Sequence, residues 1–162
     1  IYKKVNKKEK LLALCSAIAA TANADLIRKR GHRFSNNIQL PIIVSNKIES
    51  ITKSKDLEKI LIKIGLEDDL KRTHVRRIKS VHKNDTNRRS ALSVLIIVSN
   101  DDNVGRLNNS LPGIAVKTVK SVSVLDLAPG SKPARLTIFS ESAIKELNTL
   151  KSASSIKIEM NN

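Results

Sequence analysis

Few side chains in this chain are able to do acid–base, nucleophilic or metal chemistry. They are His32, His74, His82, Cys15 and the acidic pairs Asp68-Asp69 and Asp101-Asp102. All three histidines lie within or beside basic segments. Neighbouring cations there disfavour a bound metal and keep an imidazole from acting as a strong base. His32 is open to stacking on a base, to contact with a phosphate, or to a structural role. Asp101-Asp102 is read as serving the dipole at a helix start, and Asp68-Asp69 as a solvated acidic pair. Cys15 falls on an apolar stripe and is expected to be a small buried core residue rather than a reactive thiol. No Ser–His–Asp or Cys–His set shares a motif. A phosphate-binding turn needs glycines where a strand enters a helix. After Val44 the chain reads Ser45-Asn46-Lys47-Ile48, and after Val98 it reads Ser99-Asn100-Asp101-Asp102, while Gly105 and Gly113 stand alone. The sequence reads as non-catalytic, with no cofactor and no metal.

The remaining chemistry is that of cations. Of a net charge of +15, residues 1–37 carry +7, nine Lys/Arg against Glu9 and Asp25. Residues 71–90 carry another +7, eight Lys/Arg against Asp85. Residues 38–70 sum to −1 and residues 91–162 to +2. A solvated charged face explains one such block; two blocks around near-neutral, apolar-rich segments point to a folded body with a polyanion-binding face. Interspersed Asn, Ser and Thr can also donate to phosphate and ribose. Only Tyr2, Phe34 and Phe139 are aromatic, which disfavours modules that stack unpaired bases on rings. Binding through phosphate and shape needs no rings. If six to ten of these cations meet phosphates, affinity falls by roughly 10³–10⁵ between about 50 and 200 mM salt. Neither block has the apolar face of a helix that lies on anionic lipid.

These cations need a rigid body to hold them. With 162 residues, 40% of them hydrophobic, the chain is long enough for one domain with one core. A single cysteine excludes an internal disulfide and a zinc knuckle. No apolar run approaches the roughly 20 residues of a membrane span. With no secretory pattern either, a cytoplasmic setting is expected. Because it opens at Ile1 rather than Met, the chain is read as a processed product or a fragment.

From about Asn6 to Ala22 the Leu11, Leu14, Cys15, Ile18 and Ala22 spacing predicts a helix. Arg28 to Phe34 reads as a basic turn broken by Gly31. Leu40–Asn46 and Val94–Asn100 read as strands buried on both faces, and the Ile-Ile-Val-Ser-Asn they share suggests equivalent strands of a parallel sheet. Between them, a helix capped by Ser54 or a neighbour buries Leu57, Ile60, Leu61 and Ile64 and stops at Gly65. A third helix is expected over 101–108, an outer strand over 114–119 and a turn over 126–130. A short strand over 136–139 is followed by a helix from Ser140 and Glu141 through Leu147. The order β–α–β–α–β–β–α, led by a helix, predicts a three-layer α/β body, its largely parallel sheet flanked by helices, with a basic N-terminal arm. The expected divisions are an arm over 1–10, the α/β domain over 11–150 and a polar tail over 151–162.

Several segments, in order, resemble one family. They are Asn6-Lys7-Lys8-Glu9-Lys10, Ser16–Ala22, Arg30-Gly31-His32-Arg33, Leu111-Pro112-Gly113-Ile114, Leu125–Gly130 and Arg135–Ala143. Together they are similar to the universal large-subunit ribosomal protein L-four family, in its archaeal and eukaryotic branch. The resemblance implies an α/β body on large-subunit rRNA, beside neighbouring large-subunit proteins, with no membrane and no small-molecule substrate. It also implies an extended loop reaching the peptide exit tunnel, of which Tyr2–Lys10 is the return, so that the family's N-terminal segment and most of that loop are missing here. Where the family carries a glycine-rich basic segment, residues 78–89 hold charge but no glycine, so close backbone approach to RNA is not expected there.

Two rRNA contact surfaces follow. One is expected from Lys3, Lys4, Lys7, Lys8, Lys10, Arg28, Lys29, Arg30, His32 and Arg33. The other is expected from Arg72, Arg76, Arg77, Lys79, Lys83, Arg88 and Arg89. The alternative reading is a nucleotide- or methyl-donor-dependent RNA-modifying enzyme on the same body.

Overall fold

The structure is a computed structural model that describes residues 5–74, 91–100, 102–108 and 110–153. Four strands, β1 (Ile42–Val44), β2 (Leu95–Val98), β3 (Ala115–Thr118) and β4 (Thr137–Ser140), form one sheet in the order β1-β4-β2-β3. Every pairing is parallel. The helices are α1 (Lys7–Ala20), α2 (Ala24–Arg30), α3 (Ser54–Ile64), α4 (Glu67–His74), α5 (Val124–Leu127) and α6 (Glu141–Ala153).

Successive residues of a strand point to opposite faces, and β2 shows what that does here. Val94, Ile96 and Val98 enter one core with Ile27 of α2, Leu57 and Leu61 of α3, and Leu70 of α4. Leu95 and Ile97 enter a second core with Ala17 of α1, Leu127 of α5 and Ala143 of α6. A parallel sheet covered on both sides reads as unbroken apolar residues, and β2 and β4 are buried throughout. The three layers expected from the sequence are therefore present, with α2, α3 and α4 on one side and α1, α5 and α6 on the other.

Several local expectations change. The repeated pentapeptides lie in parallel strands at the same level of the sheet, since Ile42 and Ile96 both stand opposite Ile138. They are not equivalent, because β4 lies between them and β1 is at the edge of the described sheet. Ile42 is buried, whereas Ile43 is 54% exposed. Arg28–Arg30 form the last turn of a helix, α2, whose three cations complement the negative dipole end. Asn23 caps its other end by accepting from the Asp25 and Leu26 amides. In α3, Leu57 and Leu61 are fully buried and Gly65 ends the helix as expected, but the N-cap is Lys53 and no side chain caps it.

Among the described residues 102–108 only Val104–Leu107 is helical, as a single 3₁₀ turn. Residues 124–131 are α5 followed by a 3₁₀ turn, not a simple bend. Cys15 is exposed. Helix α1 packs through Leu14, Ala17 and Ile18 instead, and Ala22 lies beyond its end. Lys7–Lys10, expected in an arm, belong to α1. Of the tail, residues 151–153 continue α6.

Candidate nucleic-acid interface

At the C-terminus of α2 the basic residues diverge. Arg28 and Lys29 are exposed. Arg28 donates to Asn36 Oδ1 at 2.7 Å and stands over the Phe34 ring, 5.1 Å from its centroid, a cation–π arrangement that fixes its direction. Arg30 turns inward. Its Nη2 donates to the Pro129 carbonyl at 2.7 Å, and its Nη1 donates to the carbonyls of Lys132 and Pro133. Partial burial, then the nearby charge of Arg72, lower the Arg30 pKa.

His32 is 5% exposed, which favours the structural role among those open to it. Its Nε2 accepts the Leu136 amide at 3.3 Å, and its Nδ1 faces both oxygens of Asp69 at 3.2 and 3.3 Å. A ring nitrogen that accepts an N–H carries the lone pair, so Nδ1 bears the proton that Asp69 receives. The imidazole joins α4 to Leu136, just before β4, with both ring nitrogens facing protein partners.

Asp69 is also unlike the solvated residue expected, being fully buried. It accepts from the Arg33 amide at 3.0 Å, from Arg72 Nε at 3.1 Å and from Ser93 Oγ at 2.5 Å, besides His32. Burial alone raises its pKa. The hydrogen bonds from His32, Ser93 and the Arg33 amide overcome that and bring it down to about 2. Arg72, held by Asp69, donates from Nη2 to the Leu92 carbonyl at 2.8 Å.

Arg30, Arg72, Lys132, His32 and Leu92 line one open depression of about 280 Å³. The sequence assigned Arg30 and Arg72 to separate surfaces, and the fold brings them to one rim. Lys132 was not singled out, because a lone lysine beside Pro133 carries no pattern.

Arg135 was missed too, and it faces inward. At 3% exposed, it donates from Nε to the Ser93 carbonyl at 2.8 Å and from Nη2 to the Gly113 carbonyl at 3.0 Å. Burial lowers its pKa to about 10, against the opposing pull of Asp126. Arg135 ties the entry to β2 to the loop before β3 and is part of the scaffold.

Lys7, Lys8, Lys10 and Arg33 are exposed. Lys3, Lys4, Arg76, Arg77, Lys79, Lys83, Arg88 and Arg89 lie outside the described residues, as do the glycine-free segment 78–89 and His82. Among the described residues no group of three metal-ligating side chains occurs.

The carboxyl edge of a parallel sheet is where α/β enzymes hold nucleotides. Here that edge has a depression lined by Asn46, Glu49, Ser50, Asn100, Asp102 and Asn103. Glu49 accepts from the Ser99 amide at 3.2 Å and from the hydroxyls of Ser140 and Ser142. Burial raises its pKa, but these bonds outweigh burial and leave it lowered. An ionised carboxylate on that rim repels a phosphate.

Comparison with known proteins finds similarity along most of the chain. The chain is 40% identical over 151 residues to the large ribosomal subunit protein uL4 of Thermoplasma volcanium, covering 91% of this chain and 58% of that protein. It is 40% identical over 147 residues to uL4 of Archaeoglobus fulgidus, covering 89% and 58%. With uL4 of Methanocaldococcus jannaschii it shares 37% over 151 residues, covering 91% and 59%. The chain thus spans a little under three fifths of the length of these curated relatives. The Ribosomal protein L4/L1 family matches along residues 1–150, a span that takes in the sheet, its flanking helices and both basic blocks, and the chain belongs to that family.

Proposed function

We infer that the protein is a structural constituent of the large ribosomal subunit that binds large-subunit rRNA through its basic surfaces. Its contribution is to assembly and to the region around the peptide exit tunnel. The observation that carries this reading is family membership along residues 1–150, supported by the meeting of Arg30 and Arg72, one from each basic block, at one rim. The α/β body is a passive frame. Its sheet and the Asp69 and Arg135 hydrogen bonds hold cations at fixed spacing, so little side-chain entropy is lost when phosphates arrive. Large-subunit rRNA and adjoining large-subunit proteins are the expected partners, in the cytoplasm. The alternative of an RNA-modifying enzyme is set aside. The relatives are named as ribosomal components, and the edge where a nucleotide would sit is acidic.

Sedimentation of the native protein from cell lysate tests the reading. Co-migration with large subunits that survives a moderate-salt wash is expected. Recovery in the light soluble fractions alone overturns it.

A further inference from the structure

The depression between α2, α4 and the 129–133 turn has a composition that the rest of the described surface does not explain. Three cationic side chains, Arg30, Arg72 and Lys132, face it, while Asp69 is the one carboxylate beneath. Among the described residues that leaves an excess of positive charge, with no acidic residue lining the wall. Like charges are not gathered this way for stability, since each repels the others and loses hydration.

Arg30 is held by backbone carbonyls alone, and Arg72 by the buried Asp69 carboxylate together with one backbone carbonyl. Arg30 spends three of its five N–H donors on the carbonyls of Pro129, Lys132 and Pro133. Its Nε–H and one Nη2–H have no partner among the described residues. Arg72 is fixed through Nε by Asp69 and through Nη2 by Leu92, leaving Nη1 without a partner among the described residues. The result is two rigid guanidiniums with unspent donors, plus a mobile-stemmed lysine, around a small open hollow. Oxygens of a phosphate match that donor set.

We propose that this hollow is a seat for a single RNA backbone phosphate, in which the two basic blocks of the sequence act on one ligand group. The proposal rests on the rRNA-binding reading and sharpens it to a site. The phosphate sits between Arg30 and Arg72, and Lys132 closes over it from the 129–133 turn. Leu92, 41% exposed on the same wall, offers an apolar surface to the adjoining ribose, which favours a phosphodiester within a strand over a free phosphate ion. The hollow is smaller than the roughly 300–1,000 Å³ of a site that encloses an organic ligand, and it is open.

The test uses the full chain with large-subunit rRNA, titrating affinity against salt for the wild type, Lys132→Ala, Arg30→Gln and the control Lys59→Ala. Lys59 lies on α3, paired with Asp56, away from the hollow's lining. Each phosphate contact contributes about 0.7–0.9 to the slope of log affinity against log salt. Lys132→Ala, whose side chain is exposed, is expected to lower the slope by about that amount, with Arg30→Gln doing the same and Lys59→Ala leaving it unchanged. In parallel, the Nε–H resonances of Arg30 and Arg72 are followed by NMR as inorganic phosphate is added. They are expected to move together, and rRNA to displace the phosphate.

If the wild type binds rRNA and both hollow variants keep its slope, the seat is overturned while the rRNA reading stands. If the two arginine signals respond to inorganic phosphate but rRNA does not bind, the hollow is a free-phosphate site and the RNA seat is overturned with the rRNA reading.

Discussion

Asp69 accepts hydrogen bonds from His32, the Arg33 amide, Arg72 and Ser93, and so joins α4, the turn after α2 and the approach to β2. Its carboxyl is held at about 2, below its ordinary value near 3.8. A carboxylate with a depressed folded pKa stabilises the protein fully above its unfolded value, near pH 4. That stability is lost as the pH falls toward 2. The difference corresponds to about 2 kcal/mol. Asp69→Asn is expected to lose at least that at pH 7, since the amide oxygen cannot satisfy four donors and some remain buried without a partner. Urea denaturation of both proteins from pH 7 down to pH 2.5 checks it. The gap should narrow as the pH drops below 4, and a gap of constant width would show that the carboxylate's charge is irrelevant. Nothing in the local residue pattern marks this role. Beside Asp68 it looks like one of two exposed acids, and only the packing of Leu66 and Leu70 on either side of it turns it inward.

Between elements, the joint that matters most is the loop entering β3. Gly113 has φ +77°, and a Cβ there would run into the Ala91 carbonyl oxygen and come within 2.9 Å of the Ser93 nitrogen. Its own carbonyl accepts from the Ser93 amide and from Arg135. Gly31, at the end of α2, has φ +103° with nothing within 4 Å of such a Cβ. Gly31→Ala is therefore expected to cost only the left-handed backbone penalty, about 1–2 kcal/mol. Gly113→Ala adds a collision with backbone that cannot rotate away, and its unfolding midpoint should fall well below that of Gly31→Ala in paired thermal melts. Equal losses would mean that the loop yields.

The strands were legible because unbroken apolar runs such as Leu95–Val98 have one comfortable place, a parallel sheet covered on both faces. Helix α4 was not. Among Glu67–His74 only Leu70 is a large apolar residue, so no stripe marks it, and its inward side is completed by Asp69 and Thr73. The basic residues were legible as composition. Which of them face outward was not, since Arg30 and Arg135 bond to carbonyls about a hundred and about twenty to forty residues away.

At the scale of the molecule, a formal charge of +15 acts on the free protein and on its complex in opposite senses. Raising salt from about 0.01 to 0.15 M shortens the Debye length from about 30 to about 8 Å. That relieves self-repulsion in the compact state, so the thermal midpoint of the free protein should rise. The same change weakens binding to RNA by reducing the gain from counterion release. Melting curves and binding isotherms over one salt series check both. A midpoint that falls with salt would mean that attractive surface pairs outweigh the repulsion.

The sheet order also fixes when the four described strands come together during synthesis. Among the described strands β1 pairs only with β4, and β4 is the last of these four to leave the ribosome that makes them. Until residue 140 has emerged, Ile42–Val44 has no neighbour among the described strands, and β2 with β3 forms a separate half sheet with an open edge. The final strand is a keystone. A nascent chain halted before it carries two unpaired apolar edges, which are sites for pairing with the wrong chain. Quality control over this protein therefore has a natural checkpoint, the arrival of Thr137–Ser140 between its two older neighbours.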